Sequence, residues 1–285
     1  MYYFVDMYED KLTFIDNIDS ETCLKVLEAS DSINQVLDFY FLGKCVSDAW
    51  DELIEWSNKS NTNGNYILRN LHTAERLVRG FLFEFRTCLD HMETEIKRAY
   101  GEDSDLWKIF KEGTSSAYVN HIEYAFTSHL RNCSQHCKNV VHGFNCSTGI
   151  GISSNTSRLL SEYKKWKQID KDYMAACGSE VDLLKTFSVT FSAFNTALKP
   201  IMQYLLNNNN VGTKLLYLRE WGDSLQKQFK HDVHCYHIAK IEFSDGSSAT
   251  QNDMASGDVV VNAYPLDWQL IYELSNSITP SKVKQ

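Results

Sequence analysis

Apolar positions recur at three- and four-residue steps along most of the chain, the spacing of one buried face of an α-helix. From about Tyr66 to Tyr100, Leu77, Phe81, Phe85, Leu89, Met92 and Ile96 keep that step, and Gly101 supplies a helix stop. Residues 17–56 carry a similar pattern through Leu24, Val26, Leu27, Ile33, Val36 and Leu37, with Ser20 and Glu21 near its start. The polar run Asn58 to Asn65 between them reads as a turn. A short helix is expected over Asp103 to Glu112, a break at Gly113-Thr114-Ser115-Ser116, and a long helix from about Ala117 to His142.

The second half is more broken. Gly143 to Ser157 reads as a loop with room for one short strand around Ile150 and Ile152. Arg158 to Ala176 is expected as a helix capped by Ser157, and Ser179-Glu180-Val181-Asp182 as a capping box opening another helix, which Pro200 would kink. Thr186 to Ala193 alternates as a strand would, but Phe187, Phe191 and Phe194 also form a helical stripe and the length favours helix. Asn207 to Asn210 with Gly212 marks a turn, followed by a helix over Thr213 to Phe229. Two short strands around Ile238–Phe243 and Asp258–Tyr264 and a helix near Leu266 to Leu274 complete the expected elements.

These elements divide into an acidic helical N-terminal region over 1–60, a helical core over 61–145, further helices over 146–230, and two strands with a terminal helix over 231–285. The expected class is mainly α. Hydrophobic residues at 43% and aromatics at 13% suffice for a sizeable core, and only three prolines interrupt the helices. No stretch approaches the roughly 18 apolar residues needed to span a bilayer, so no membrane partner is expected. The start lacks a basic segment followed by an apolar one and is not expected to be a signal peptide. Scattered cysteines then suit a reducing, cytoplasmic setting. The net charge of −9 disfavours a broad nucleic-acid face. Residues 1–60 hold thirteen acidic and four basic side chains, whereas 61–142 are nearly neutral and rich in arginine. The acidic start is read as a solvated face.

On a helical wheel at roughly 100° per residue, residues 117–142 split into two arcs. Val119, Ile122, Phe126, Leu130, Cys133, Cys137, Val140 and Val141 form an apolar arc; His121, Ser128, Arg131, Asn132, Gln135, His136, Asn139 and His142 fill the opposite one. A plain solvent face would favour Lys and Glu, the better helix formers. Histidine moves protons near neutral pH, and arginine offers a planar donor fork to phosphate oxygens. Asn132 and His136 stand four apart, close enough for the amide to orient the imidazole. Arg131 and His136 are separated by roughly 140° around the helix. They can meet on one phosphate only through arginine's length, a local distortion or a second subunit. A polar interface or a satisfied interior face is the plainer alternative.

Arg131-Asn132-Cys133-Ser134-Gln135-His136 resembles the Arg-x(4–6)-His motif of the HEPN superfamily, including the form with Asn directly after Arg. The preceding Phe85-Arg86-Thr87-Cys88-Leu89-Asp90-His91 adds to the likeness, which extends over about residues 65–145 and resembles uncharacterised bacterial HEPN-like proteins. The resemblance implies a HEPN-like antiparallel helical bundle with extra helices and a small C-terminal β/α element. It further implies a metal-independent endoribonuclease, a toxin or effector of bacterial anti-phage defence, acting on RNA as a homodimer and accompanied by an antitoxin or defence partner protein. Arg131 and His136 would be catalytic, the first stabilising charge on phosphorus oxygens and the second moving a proton at the ribose 2′-hydroxyl or the leaving 5′-oxygen. Asn132, Gln135, Arg86 and Asp90 would support them, although Arg86 and Asp90 equally suit a structural ion pair. A catalytically silent binding or oligomerisation subunit of a defence complex is the alternative. No cofactor is expected. His231, His234 and His237 could suit zinc, but strand-like sequence follows and no second ligand pair accompanies them; Cys133, His136, Cys137 and Cys146 form a second possible cluster, but Cys133 and Cys137 belong to the apolar arc and core packing is the expected reading.

Overall fold

The structure, a computed structural model, describes residues 2–8, 11–59, 67–136, 139–145, 151–207, 211–229, 236–250, 259–264 and 266–276. The turn residues 60–65 and 208–210, Cys137, Cys146, His231 and His234 lie outside that set. The fold is mainly helical. The chain divides into two compact units: residues 1–37 with 205–285, and residues 38–204.

In the first unit, β1 (Tyr2–Tyr8) and β2 (Lys11–Ile18) pair antiparallel. β6 (Tyr236–Phe243) pairs with β1, and β7 (Val259–Tyr264) with β6, giving the antiparallel order β2-β1-β6-β7. The two C-terminal strands fall where the sequence places them. The N-terminal hairpin stands inside the region expected to be helical. Aromatic and β-branched residues are frequent in YYFVDMY and KLTFIDNI, and such residues pack well on a pleated surface. Tyr3 and Val5 on β1 and Ala239 and Ile241 on β6, each pair at the two-residue spacing that puts side chains on one face, form a buried cluster with Ala249. Helices α8 (Val211–Phe229) and α9 (Trp268–Asn276) pack together in this unit through Trp221 and Trp268, with the Tyr272 hydroxyl donating to Asp223. α1 (Ser20–Lys59) contributes its residues before Asp38 here and the remainder to the second unit.

The second unit is built around α2 (Ile67–Tyr100), whose stripe of Leu77, Phe81, Phe85, Met92 and Ile96 is buried as its spacing predicts. Gly101, at φ +86°, ends it. Phe81 packs on Phe187 of α7 (Leu183–Asn207), and Phe85 on Phe194 of the same helix. The helical alternative for residues 186–193 therefore prevails, and Pro200 lies within that helix. Each of these fully buried side chains contributes about 1.5–3 kcal/mol relative to exposure.

Three boundaries differ from the expected ones. α3 (Asp105–Asn120) runs straight through Gly113-Thr114-Ser115-Ser116, and the break comes at His121, whose φ of −128° and ψ of 101° are extended. Gly113 serves close approach rather than a stop: a Cβ there would sit 3.0 Å from the Ala197 carbonyl oxygen on α7. α4 (Ile122–His136) then carries the motif as a helix of its own, leaving Val119 75% exposed rather than in the apolar arc. The span Arg158 to Ala176 is two helices, α5 (Thr156–Glu162) and α6 (Gln168–Cys177), and Asn155 rather than Ser157 caps the first. β3 (Gly143–Asn145), β4 (Gly151–Asn155) and β5 (Glu180–Asp182) form an antiparallel sheet in that order. Glu180 to Asp182 is thus a strand, with Asp182 accepting from the Lys185 amide at the start of α7.

Candidate functional site

α4 is held by contacts on both flanks. Phe126 stacks on Trp166, Thr127 shares a buried hydroxyl contact of 2.8 Å with Thr190, and Tyr124 meets Phe85 edge to face. The helix's last turn is tied down by α2. Arg79 donates to the Ser134 carbonyl at 2.5 Å and to Glu75 at 2.6 Å, while Glu75 accepts from the amides of Val140 and Val141 at 2.9 and 2.7 Å. One carboxylate therefore closes the chain end that leaves the motif helix, and one guanidinium takes a carbonyl that the helix leaves unpaired. The sequence reading missed both residues. They stand four apart on α2, the spacing of an ion pair, and nothing local shows that the pair reaches the motif helix.

Above this anchor lies an open cleft of about 600 Å³. Its walls come from α2, α3, α4 and the start of α6, all within the second unit. Arg86, Lys111, Arg131 and Lys167 supply four cationic groups, against the carboxylates of Asp90 and Glu93. The positive balance is local, in a chain of net charge −9.

The predicted site residues fall unevenly around this cleft. Arg131 and Asn132 line it. The Arg131 guanidinium donates to Gln135 Oε1 at 3.0 Å and to Asn132 Oδ1 at 3.4 Å, so two neutral amide oxygens steady it without cancelling its charge. Arg86 and Asp90 also line it and form the i,i+4 ion pair, half-exposed, at 2.5 and 3.0 Å. His136 is exposed, outside the cleft wall, its ring stacked on Tyr163 with centroids 6.1 Å apart. Helical geometry puts His136 about 10 Å along the axis beyond residue 129, at nearly the same azimuth. Of the two, only Arg131 is in the lining of this cleft.

A different imidazole does face the cleft with Arg131. His129 is 13% exposed, and its Nδ1 lies 2.8 Å from Oδ1 of Asp170, which is fully buried. Asp170 also accepts from the Lys167 amide at 2.8 Å, closing the first turn of α6. On the far side of the ring, Nε2 lies 3.4 Å from the Tyr118 hydroxyl, which accepts from Lys167 Nζ at 3.3 Å. Tyr124 lines the cleft too; it is 2% exposed, and its hydroxyl is buried without a hydrogen-bond partner. Burial pushes that phenol well above its ordinary range, so it stays a neutral donor. The break at His121 decides which residues meet here, because it returns α4 alongside α3 and brings His129 to Tyr118.

Among the described residues no group of three His, Cys, Asp or Glu side chains is placed to hold a metal ion, and no helix is long and apolar enough to cross a membrane. His237, the described member of the histidine cluster, accepts from the Leu266 amide through Nδ1 at 3.1 Å. No family model, curated protein or solved structure matches the chain.

Proposed function

We propose that this protein is a HEPN-like, metal-independent endoribonuclease, a toxin or effector of bacterial anti-phage defence working in the cytoplasm as a homodimer. One observation carries the reading: Arg131 stands in the wall of an open cationic cleft with its charge uncancelled, while the exposed His136 ends the same helix. A guanidinium so placed suits the oxygens of a phosphodiester. Because His136 stands outside its own chain's cleft, the Arg131/His136 pair is completed by the His136 of a second copy.

The test follows from that requirement. Purified protein is incubated with RNA in the presence of EDTA, alone and as the Arg131→Ala and His136→Ala variants. Cleavage by the parent and by neither variant is expected. Mixing the two variants should restore activity, since a heterodimer rebuilds one intact pair. Expression should arrest growth for the parent only.

The position of His136 also favours a second reading, a catalytically silent HEPN-like subunit that binds a defence partner or itself. Equal, harmless expression of parent and variants, with no RNA cleavage, would support it instead.

A further inference from the structure

Cleavage of RNA by its own 2′-hydroxyl needs two proton movements, one away from the attacking oxygen and one onto the departing oxygen. The Arg131/His136 pair supplies a single imidazole. His129 is a second, better held than the first, and it shares the cleft with Arg131 within one chain. An ionised carboxylate accepts only, so Asp170 fixes the proton of His129 on Nδ1 and leaves the Nε2 lone pair toward the Tyr118 hydroxyl in the cleft wall. That contact is a long one, 3.4 Å to Tyr118, which an incoming hydroxyl can displace. The unpartnered hydroxyl of Tyr124 in the same wall is a buried donor awaiting an acceptor oxygen.

Resting on the ribonuclease reading above, we infer that His129 is the general base of this site, positioned by Asp170, and that Arg131 and Tyr124 receive the phosphate oxygens. In the step, the 2′-oxygen bonds to phosphorus as its proton passes to His129 Nε2. The P–O5′ bond breaks, and the 5′-oxygen takes a proton from His136 of the second copy. The products are a 2′,3′-cyclic phosphate and a 5′-hydroxyl, with no oxidant or co-reactant required. Tyr118 and Lys167 hold Nε2 in place before substrate arrives.

The assignment separates the two histidines by role, so leaving-group chemistry tests it. An oligoribonucleotide with a single 5′-bridging sulfur departs without a proton. His136→Ala should be crippled on the ordinary linkage and regain rate on the sulfur linkage. His129→Asn, whose amide can still donate to Asp170, should lose at least about 100-fold in kcat on both linkages. Asp170→Asn should behave as His129→Asn, because its amide donates to Nδ1 and turns the ring to the tautomer that cannot accept a proton. It retains an oxygen for the Lys167 amide, and an unchanged circular-dichroism spectrum would confirm folding.

Near-parental kcat in His129→Asn, or its rescue by sulfur, overturns the assignment while leaving the ribonuclease reading intact. A parent protein that cleaves neither linkage overturns both.

Discussion

Arg79 Nη1 lies 2.5 Å from the main-chain oxygen of Ser134, so a side chain of α2 completes the last turn of the helix that carries Arg131 and His136. Glu75 holds that arginine and two further main-chain amides. Replacing Glu75 by Ala strands the amides of Val140 and Val141, both buried residues, and should cost about 3 kcal/mol. Arg79→Ala should cost about 1–2 kcal/mol, and the double variant less than the sum of the singles. Urea denaturation of the four proteins measures this. Additive losses would mean that the two residues act separately.

Two helical glycines should respond in opposite directions. Gly80 on α2 has open space where a Cβ would sit, so Gly80→Ala should stabilise the protein by about 0.5–1 kcal/mol through helix propensity. Gly113→Ala gains the same propensity but sets a methyl 3.0 Å from the Ala197 carbonyl oxygen. A main-chain group of a packed helix cannot swing aside, so a net loss of about 1–2 kcal/mol is expected. Thermal melts of the two variants would read out the difference in sign.

His142 gives a pH dependence. Burial, and then the Arg158 charge, hold its imidazole below the ordinary histidine value, outweighing the opposite pull of Glu162 and Glu75. The ring therefore binds its proton more weakly folded than unfolded. Its contribution is present above the unfolded value near 6.5 and is lost as pH falls below that value toward the depressed folded one. The melting temperature should drop between pH 7.5 and 5.5, and His142→Asn should flatten part of that drop. The Asn155 amide, now donating to His142 Nδ1, would still find an acceptor in that variant. An identical pH slope in parent and variant would refute the link.

Thiol chemistry should sort by burial. Cys88 is buried and its thiol is pushed up to about 12; Cys23 is buried and pushed up to about 11. Cys45 is exposed. Brief iodoacetamide treatment of the native protein followed by peptide mass spectrometry should find Cys45 modified before Cys23 and Cys88, which react only after denaturation.

The long elements were legible because their signals are periodic. α2 follows from six apolar residues at helical steps, and the pair β6 and β7 from runs of strand-forming residues. The N-terminal hairpin was missed because acidic residues among its aromatics blurred the alternation that marks a strand. The helix break at His121 was missed since the cue in view, Gly113, answers to a packing contact 84 residues away in sequence, at Ala197. The site divides in the same way. Arg131, Asn132, Arg86 and Asp90 could be proposed from local spacing, and each lines the cleft. His129 could not, because its importance comes from Asp170, 41 residues on, and from Tyr118 on another helix. Periodicity reports which face is buried; it carries no record of which polar groups tertiary packing will bring together.

The cleft's positive lining within an acidic molecule has a kinetic corollary for any polyanion that visits it. At about 0.01 M salt, where the Debye length is roughly 30 Å, the whole chain's −9 repels the visitor before it comes within about 10 Å of the lining. Inside that distance the four cations dominate. Added salt should therefore quicken arrival while shortening residence. The capture rate would climb and occupancy decline over the same ionic-strength range, the reverse of the steering seen when attraction begins far from the surface.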